Sequence, residues 1–343
     1  MTLRVWIELS GENPALARAE LDAVVGRLEG QPAPTDAWLP PPWEEREIPD
    51  LRAAGELARC LALARRVAIP WRERGWADVR AAMNREGARG SSASLRDVGA
   101  RGASKLGAPW RELAQVYVDA GGAIDLTAPA RRFRVIAGPQ GDPRVAEEVS
   151  VVDRGTYRRR RMPELPFQRP VSLPPRLGRA AANLGRIGPG DRVIDPFLGT
   201  GALLIEAALL GASVSGVDRD PEMVRGALRN FAFVGVEPST LRVADASDAT
   251  LPTPGGQWDA ILTDPPYGRA STTGGEDPVA LVARTLPRWA ELVRPGGRVV
   301  VVVPGGPDPL PPPWIRETSV IDRVHRSLSR EFRVYRRASV GSD

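Results

Sequence analysis

The 343-residue chain has one cysteine, one histidine and one lysine, and each scarcity excludes a class of chemistry. The lone thiol, Cys60, sits in an apolar-periodic run and rules out a disulfide framework or a cysteine-built metal site. The single histidine, His325, lies in the tail and rules out a histidine-based metal site or a histidine-dependent triad. No apolar run approaches the roughly 20 residues that a membrane helix needs. Met1-Thr2-Leu3-Arg4 leads straight into an amphipathic strand rather than the apolar core of a signal peptide, so a soluble, cytoplasmic protein with no membrane partner and no metal is expected. Hydrophobic residues at 42% and charged residues at 26% exclude a disordered, collagen-like or coiled-coil chain. The length suggests about two domains of roughly 150 residues each.

What is abundant is arginine. Since Lys105 is the only lysine, 46 of the 47 Lys+Arg residues are arginine, and the net charge is +5. Between Arg131 and Arg179 stand twelve arginines against five acids, a net +7, which leaves the rest of the chain slightly acidic. Codon bias accounts for the Arg:Lys ratio but not for the clustering. Guanidinium groups bind phosphate bidentately and stack on bases, so the cluster, with Arg154, Arg158, Arg159, Arg160 and Arg161 at its centre, is the candidate surface for a phosphate backbone. The plainer alternative is a solvated charge run.

Local signals divide the chain at 1–155, 156–175 and 176–343. In the first part, Val5–Leu9 alternates as a strand, and Asn13-Pro14 opens a helix to about Leu28. A second helix is expected over Leu51–Val67, loops with short helical pieces over Arg85–Pro109, a helix over Leu113–Ala120, and strands at Arg132–Ala137 and Val145–Val152. The run Arg158–Arg161 with Pro163–Pro175 reads as a linker. Beyond it strands and helices alternate: strands at Arg192–Asp195, Val214–Asp218, Leu241–Ala244, Ala260–Thr263 and Arg298–Val303, with helices between them. That alternation predicts a doubly wound α/β domain with a mostly parallel sheet, followed by two antiparallel strands over Ser319–Arg337.

Ligands of such sheets bind beyond the carboxyl ends of the strands, and four groups fall there. Asp195-Pro196-Phe197-Leu198-Gly199-Thr200-Gly201 is a glycine-rich turn into a helix; a dinucleotide fingerprint would want a third glycine at Leu204, and it is absent. Asp218, 218 − 195 = 23 residues on, can accept both hydroxyls of a ribose, while Asp220-Pro221 caps the next helix. Asp245-Ala246 ends the third strand, placed to accept from an adenine amino group. The fourth, Asp264-Pro265-Pro266-Tyr267, is the most specific. An exocyclic amine is a poor nucleophile because its lone pair is delocalised into the ring, so transfer needs acceptors that aim that lone pair at an electrophilic methyl. Asp264 supplies a carboxylate, the rigid Pro265-Pro266 pair a carbonyl, and Tyr267 a face on which a flipped base stacks. The bland alternative is a proline-rich turn after a buried strand.

At these residues the chain resembles the class I S-adenosylmethionine-dependent methyltransferases of the amino-methylating kind. From Arg169 to Val303 it is most similar to the archaeal-type tRNA guanosine N2-methyltransferases that modify position 10. Phe167–Leu177 looks like that family's upstream motif on the methionine side, and Arg294-Pro295-Gly296-Gly297-Arg298 precedes the apolar strand as it does there. The resemblance implies a Rossmann-like domain with S-adenosylmethionine as cofactor, lined by Asp195, Phe197, Gly199, Thr200 and Gly201, with Asp218 on its ribose and Asp245 and Ala246 at its adenine. It implies that Asp264, Pro265, Pro266 and Tyr267 receive the guanine, and that Arg169 and Arg269 join the arginine cluster in holding tRNA. Leu198 departs from the family, whose members often carry cysteine there. Leu9–Pro14 resembles the family's ferredoxin-like entry, and Ile124-Asp125-Leu126, Pro129 and Arg132–Ala137 resemble the end of a THUMP module, so a smaller α+β RNA-binding domain is expected before the catalytic one. The expected activity is one or two methyl transfers to guanosine N2 by a monomer. An adenine-N6 methyltransferase of DNA or ribosomal RNA shares the Asp-Pro-Pro-Tyr motif, and an RNA-binding protein with a vestigial transferase domain is the non-enzymatic alternative. A nicotinamide-dependent oxidoreductase is disfavoured by Leu204 and by the lack of a histidine in the sheet half.

Overall fold

The computed structural model describes residues 2–32, 39, 41–97, 109–137, 142–161, 163–169, 172–246, 256–266, 277–308, 311–325 and 328–339. The chain divides into two compact units. The first comprises Met1–Pro14, Val25–Arg59 and Ala64–Val152; the second comprises Ala15–Val24, Cys60–Leu63 and Asp153–Asp343.

The first half runs β1 (Leu3–Leu9), α1 (Pro14–Arg27), β2 (Gln31–Pro32), β3 (Trp43–Ile48), α2 (Leu51–Cys60), β4 (Ala64–Pro70), α3 (Trp76–Gly87), β5 (Ser92–Asp97), α4 (Pro109–Asp119), β6 (Ala123–Ile124), β7 (Arg131–Ala137) and β8 (Pro143–Val151). Among the described residues its strands form one mixed sheet in the order β2-β3-β1-β4-β8-β7-β5-β6. Val79 and Met83 of α3 and Leu113 and Tyr117 of α4 pack on Leu95, Phe133 and Val145 of β5, β7 and β8.

Two expectations change here. The helix expected over Leu51–Val67 stops at Cys60, and Ala64–Pro70 is a strand paired on both sides, with β1 and β8. The apolar run Leu61–Ala64 continues the helical period, but the Glu20 carboxylate takes the amides of Ala62 and Leu63, each at 2.8 Å, and the chain turns out of the helix. The expected loops at Arg85–Pro109 contain the end of α3 and β5, the latter parallel to β7.

The second half follows as α5 (Arg154–Arg158), α6 (Pro175–Leu184), β9 (Arg192–Asp195), α7 (Ala202–Ala208), β10 (Ser213–Asp218), α8 (Pro221–Val234), β11 (Thr240–Val243), β12 (Trp258–Thr263), α9 (Pro278–Leu292), β13 (Val293–Val303), β14 (Trp314–His325) and β15 (Leu328–Arg337). The sheet order is β11-β10-β9-β12-β13-β15-β14. From β11 to β13 every pair is parallel, and β15 runs antiparallel to both its neighbours, as the sequence predicts for the tail. The central strands are apolar on both faces because helices cover both. Val299, Val301 and Val303 pack with Val282, Leu286 and Trp289 of α9, whereas Val300 on the opposite face meets Gly185 at the end of α6. Strand order reverses between β9 and β12, so a crevice is expected beyond their carboxyl ends.

The segment 156–175 belongs to the second unit, as does Ala15–Val24 of α1. Within that unit Asn183 of α6 donates to Glu20 at 2.7 Å, and burial pushes the Glu20 carboxyl above its ordinary range. Among the described residues no helix is long and apolar enough to cross a membrane.

Candidate active site

Three of the four strand-end groups are built into one another by hydrogen bonds. Asp195 is buried at the end of β9, and its Oδ1 accepts from the Phe197 amide at 2.9 Å and from Thr263 Oγ1 of β12 at 2.6 Å. It therefore ties the two strands that flank the topological switch. Burial pushes its carboxyl up to about 7 against those two bonds, with Asp218 adding a further raising influence. Asp218, at the end of β10, accepts from the Gly199 amide on Oδ2 and from the Asp220 amide on Oδ1, both at 2.9 Å. Each oxygen keeps a further lone pair for a ligand hydroxyl. Asp220 accepts from the Glu222 amide at 2.7 Å and caps α8, the structural duty its position predicts.

The turn between them is shaped by two glycines. Gly199 (φ +51°) and Gly201 (φ +78°) lie in the left-handed region, where a side chain is strained. A Cβ on Gly201 would press on Phe231 at 3.0 Å, whereas one on Gly199 would meet nothing nearer than 3.9 Å, so the turn leaves open space beside Asp218. Leu198 packs on Gly216, where a Cβ would come within 2.7 Å of it; this large apolar side chain fills a space that only glycine leaves. Phe197 turns into the core, edge-on to Trp289 with ring centroids 6.4 Å apart, so its ring is a wall of the turn's base. Thr200 is buried and shares a 3.1 Å hydrogen bond with Ser172 of the upstream segment. Past β11, Ala246 is buried, Asp245 is exposed, and the Ala244 amide donates to the Asp218 carbonyl at 3.1 Å.

Asp264 follows Thr263 directly. Its Oδ1 is sealed from solvent and, among the described residues, has no hydrogen-bond partner. Burial pushes this carboxyl up to about 8; Arg330 opposes the shift and Asp195 adds to it. Pro265 is buried and Pro266 half-buried beside it, while Tyr267 and Arg269 lie outside the described residues.

The arginines separate by environment. Arg154, Arg158, Arg159 and Arg161 are exposed on and after α5, which Asp153 caps. Arg160 departs from the expectation and turns inward. Its guanidinium holds the buried Glu206 of α7 at 2.7 and 3.1 Å, Arg179 holds the same carboxylate at 3.0 Å, and Arg160 also stacks on Tyr157. A buried carboxylate requires opposite charge, and the four-arginine run supplies one member for that purpose. Arg169 is half-buried, paired with Glu222 at 2.8 Å and stacked on Phe167.

Sequence reasoning missed Asn230. Fully buried in α8, it donates to the Thr200 carbonyl at 3.0 Å and exchanges hydrogen bonds with both backbone groups of Phe167 at 2.9 Å. It fastens the upstream segment to the glycine turn, and Phe167 lies where only Gly226 allows, since a Cβ there would be 2.1 Å from its ring. The available signal was a polar residue within the buried stripe Val224, Ala227, Asn230, Phe231.

Residues 163–310 match the family of RMKL-like methyltransferase domains. This stretch is a methyltransferase domain. The tRNA (guanine(10)-N2)-dimethyltransferase of Pyrococcus abyssi is 41% identical over 171 residues, 49% of this chain and 50% of that protein. The enzyme of the same name from Methanothermobacter thermautotrophicus is 33% identical over 204 residues, 56% and 57% of the two chains. The chain thus spans about half the length of the curated relatives it matches. The crystal structure of TrmN from Thermus thermophilus aligns over 97% of this chain and 99% of that one, with a TM-score of 0.51 and 24% identity, a likeness of fold.

Proposed function

We propose that this protein transfers a methyl group from S-adenosylmethionine to the exocyclic N2 of guanosine 10 in tRNA, once or twice. The observation that carries the reading is half-buried Asp264 directly after Thr263, which bonds Asp195, with an Oδ1 that has no hydrogen-bond partner among the described residues. The relatives' names supply the substrate class.

The turn fits the cofactor. Asp218 is held by two backbone amides with acceptor capacity left for a ribose, Gly199 faces open space, and Asp245, exposed past β11, would take the adenine. When bound, S-adenosylmethionine supplies the electrophilic methyl. The chain's own residues do the rest. Asp264 accepts one N–H of the guanine amine, the Pro265 carbonyl takes the other, and Tyr267 stacks on the flipped base. The first unit is a ferredoxin-like and THUMP RNA-binding module. Exposed Arg154, Arg158, Arg159 and Arg161 of the second unit neutralise tRNA phosphates and Arg169 and Arg269 extend that contact, in a cytoplasmic monomer.

Incubating the full chain with an unmodified tRNA transcript and methyl-labelled cofactor, then digesting to nucleosides for mass spectrometry, tests the proposal. N2-methylguanosine, absent with Asp264→Asn, is expected. N6-methyladenosine as the main product would move the chain to the adenine branch of the same chemistry.

A further inference from the structure

Two segments far apart in sequence meet on one face of α8. Asn230 lies fully buried in that helix, and its side-chain amide bonds backbone outside it. Its Oδ1 accepts from the Phe167 amide at 2.9 Å, while Nδ2 donates to the Phe167 carbonyl at 2.9 Å and to the Thr200 carbonyl at 3.0 Å. Among side chains only a carboxamide offers two donors and an acceptor at once. One helical turn earlier, Gly226 leaves room for the Phe167 ring, which the guanidinium groups of Arg169 and Arg229 flank at 4.6 and 5.4 Å. The same helix backs the glycine turn, since a Cβ on Gly201 would stand 3.0 Å from Phe231 and 3.3 Å from Ala227. A second tie joins the two segments directly, the 3.1 Å hydrogen bond between Ser172 Oγ and Thr200 Oγ1. Burying an amide costs free energy unless it is bonded, and a leucine of similar size would suit the apolar stripe around it. What the amide holds therefore accounts for its presence.

We infer that Asn230 is a positioning residue for the cofactor site: it docks the segment before α6 against the glycine turn, so that docking of that segment and binding of S-adenosylmethionine strengthen each other. The inference rests on the reading of the turn beside Asp218 as the place of the cofactor. The line of contacts is short. Asn230 fixes the Thr200 carbonyl, Thr200 follows Gly199, and the Gly199 amide orients the carboxylate that would hold the ribose. Without the side-chain amide, the N–H and carbonyl of Phe167 and the carbonyl of Thr200 lose their partner in the interior. Such groups must find water, which requires the segment to lift from α8. Lifting takes Ser172 away from Thr200 and frees the turn to relax. Linkage makes the effect reciprocal, because whatever docking adds to cofactor affinity the bound cofactor returns to docking.

The test uses the full chain with S-adenosylhomocysteine as the probe. In the wild type, amide hydrogen exchange at Phe167 is followed by NMR with and without the probe, and the Val301 amide of the core strand β13 reports global opening. Phe167 is expected to exchange faster than Val301 in the free protein and to slow about tenfold or more at saturating probe. Calorimetry then compares wild type with Asn230→Leu, and with Asn230→Ser where leucine does not fold, each well below its melting temperature. The dissociation constant should rise about tenfold, inside the usual range of coupling between sites. Leu210→Ala truncates a buried side chain just before β10 begins, at the other end of that strand from Asp218. It should lower the melting temperature yet keep probe affinity within about threefold. A Phe167 amide that exchanges no faster than Val301, or that the probe leaves unchanged, overturns the inference. So does wild-type affinity in a folded Asn230 variant, or an equal loss of affinity in Leu210→Ala. If the wild type fails to bind the probe, the cofactor reading falls and the inference with it, whereas binding that ignores Asn230 removes the inference alone.

Discussion

Asp218 and Asp195 stand at neighbouring strand ends with different duties, and each has its own signature. Asp218 faces the open side of the glycine turn, so Asp218→Ala should weaken S-adenosylmethionine binding by about 1.5–3 kcal/mol, the range of a charge-assisted hydrogen bond. Calorimetry on a folded variant checks this, and unchanged affinity would remove the ribose assignment. Asp195 is an internal tie, and burial holds its carboxyl at about 7, above the ordinary aspartate value of 3.8. Between these values the folded state binds more protons than the unfolded chain, so this group's contribution to stability falls as pH rises from about 4 to 7. Asp195→Asn keeps an Oδ1 acceptor for Phe197 and Thr263 and never ionises. Its melting temperature relative to wild type should therefore be higher at pH 8 than at pH 5; a difference that is flat or reversed across that range would refute the buried, proton-holding description.

Among the elements, α5, α6 and α7 are joined by one buried carboxylate. Glu206 of α7 receives Arg160 from just beyond α5 and Arg179 from α6. Removing it leaves two guanidinium groups without their partner in the interior, so Glu206→Ala should cost about 3–5 kcal/mol, as expected for a broken buried ion pair. Urea titration measures it, and a loss under about 1 kcal/mol would show that water replaces the carboxylate. The helices and strands of the second sheet were legible from alternation and caps: β9, β10 and β12 end at or next to the aspartates that the pattern singles out. The strand β3, Trp-Glu-Glu-Arg-Glu-Ile, was not legible. Its charged residues mask the period of two, and pairing with β1 decides its state.

For the whole molecule, the arginine cluster on and after α5 becomes four exposed arginines once Arg160 is set aside. Neutralising Arg154, Arg158, Arg159 and Arg161 together should weaken tRNA binding and flatten its salt dependence, each lost phosphate contact lowering the log–log slope by roughly 0.7–0.9. Filter binding across a salt series checks this, and an unchanged slope would mark the run as solvated surface. The second unit also draws in Ala15–Val24 and Cys60–Leu63. A fragment beginning at Met162 would lose Glu20 from Asn183 and Arg160 from Glu206, so the sequence boundary at 156–175 is a poor place to cut.

The sequence by itself determined the strand-end chemistry. An Asp-Pro-Pro-Tyr motif, a glycine turn and an acidic residue at the next strand end are local patterns, and a parallel sheet necessarily brings its carboxyl ends together. Tertiary structure alone decided which charges face one another. Arg160 turns inward to Glu206 across 46 residues, and Asp195 meets Thr263 across 68. Such pairings depend on strand order and register between distant segments, which periodicity along the chain does not encode.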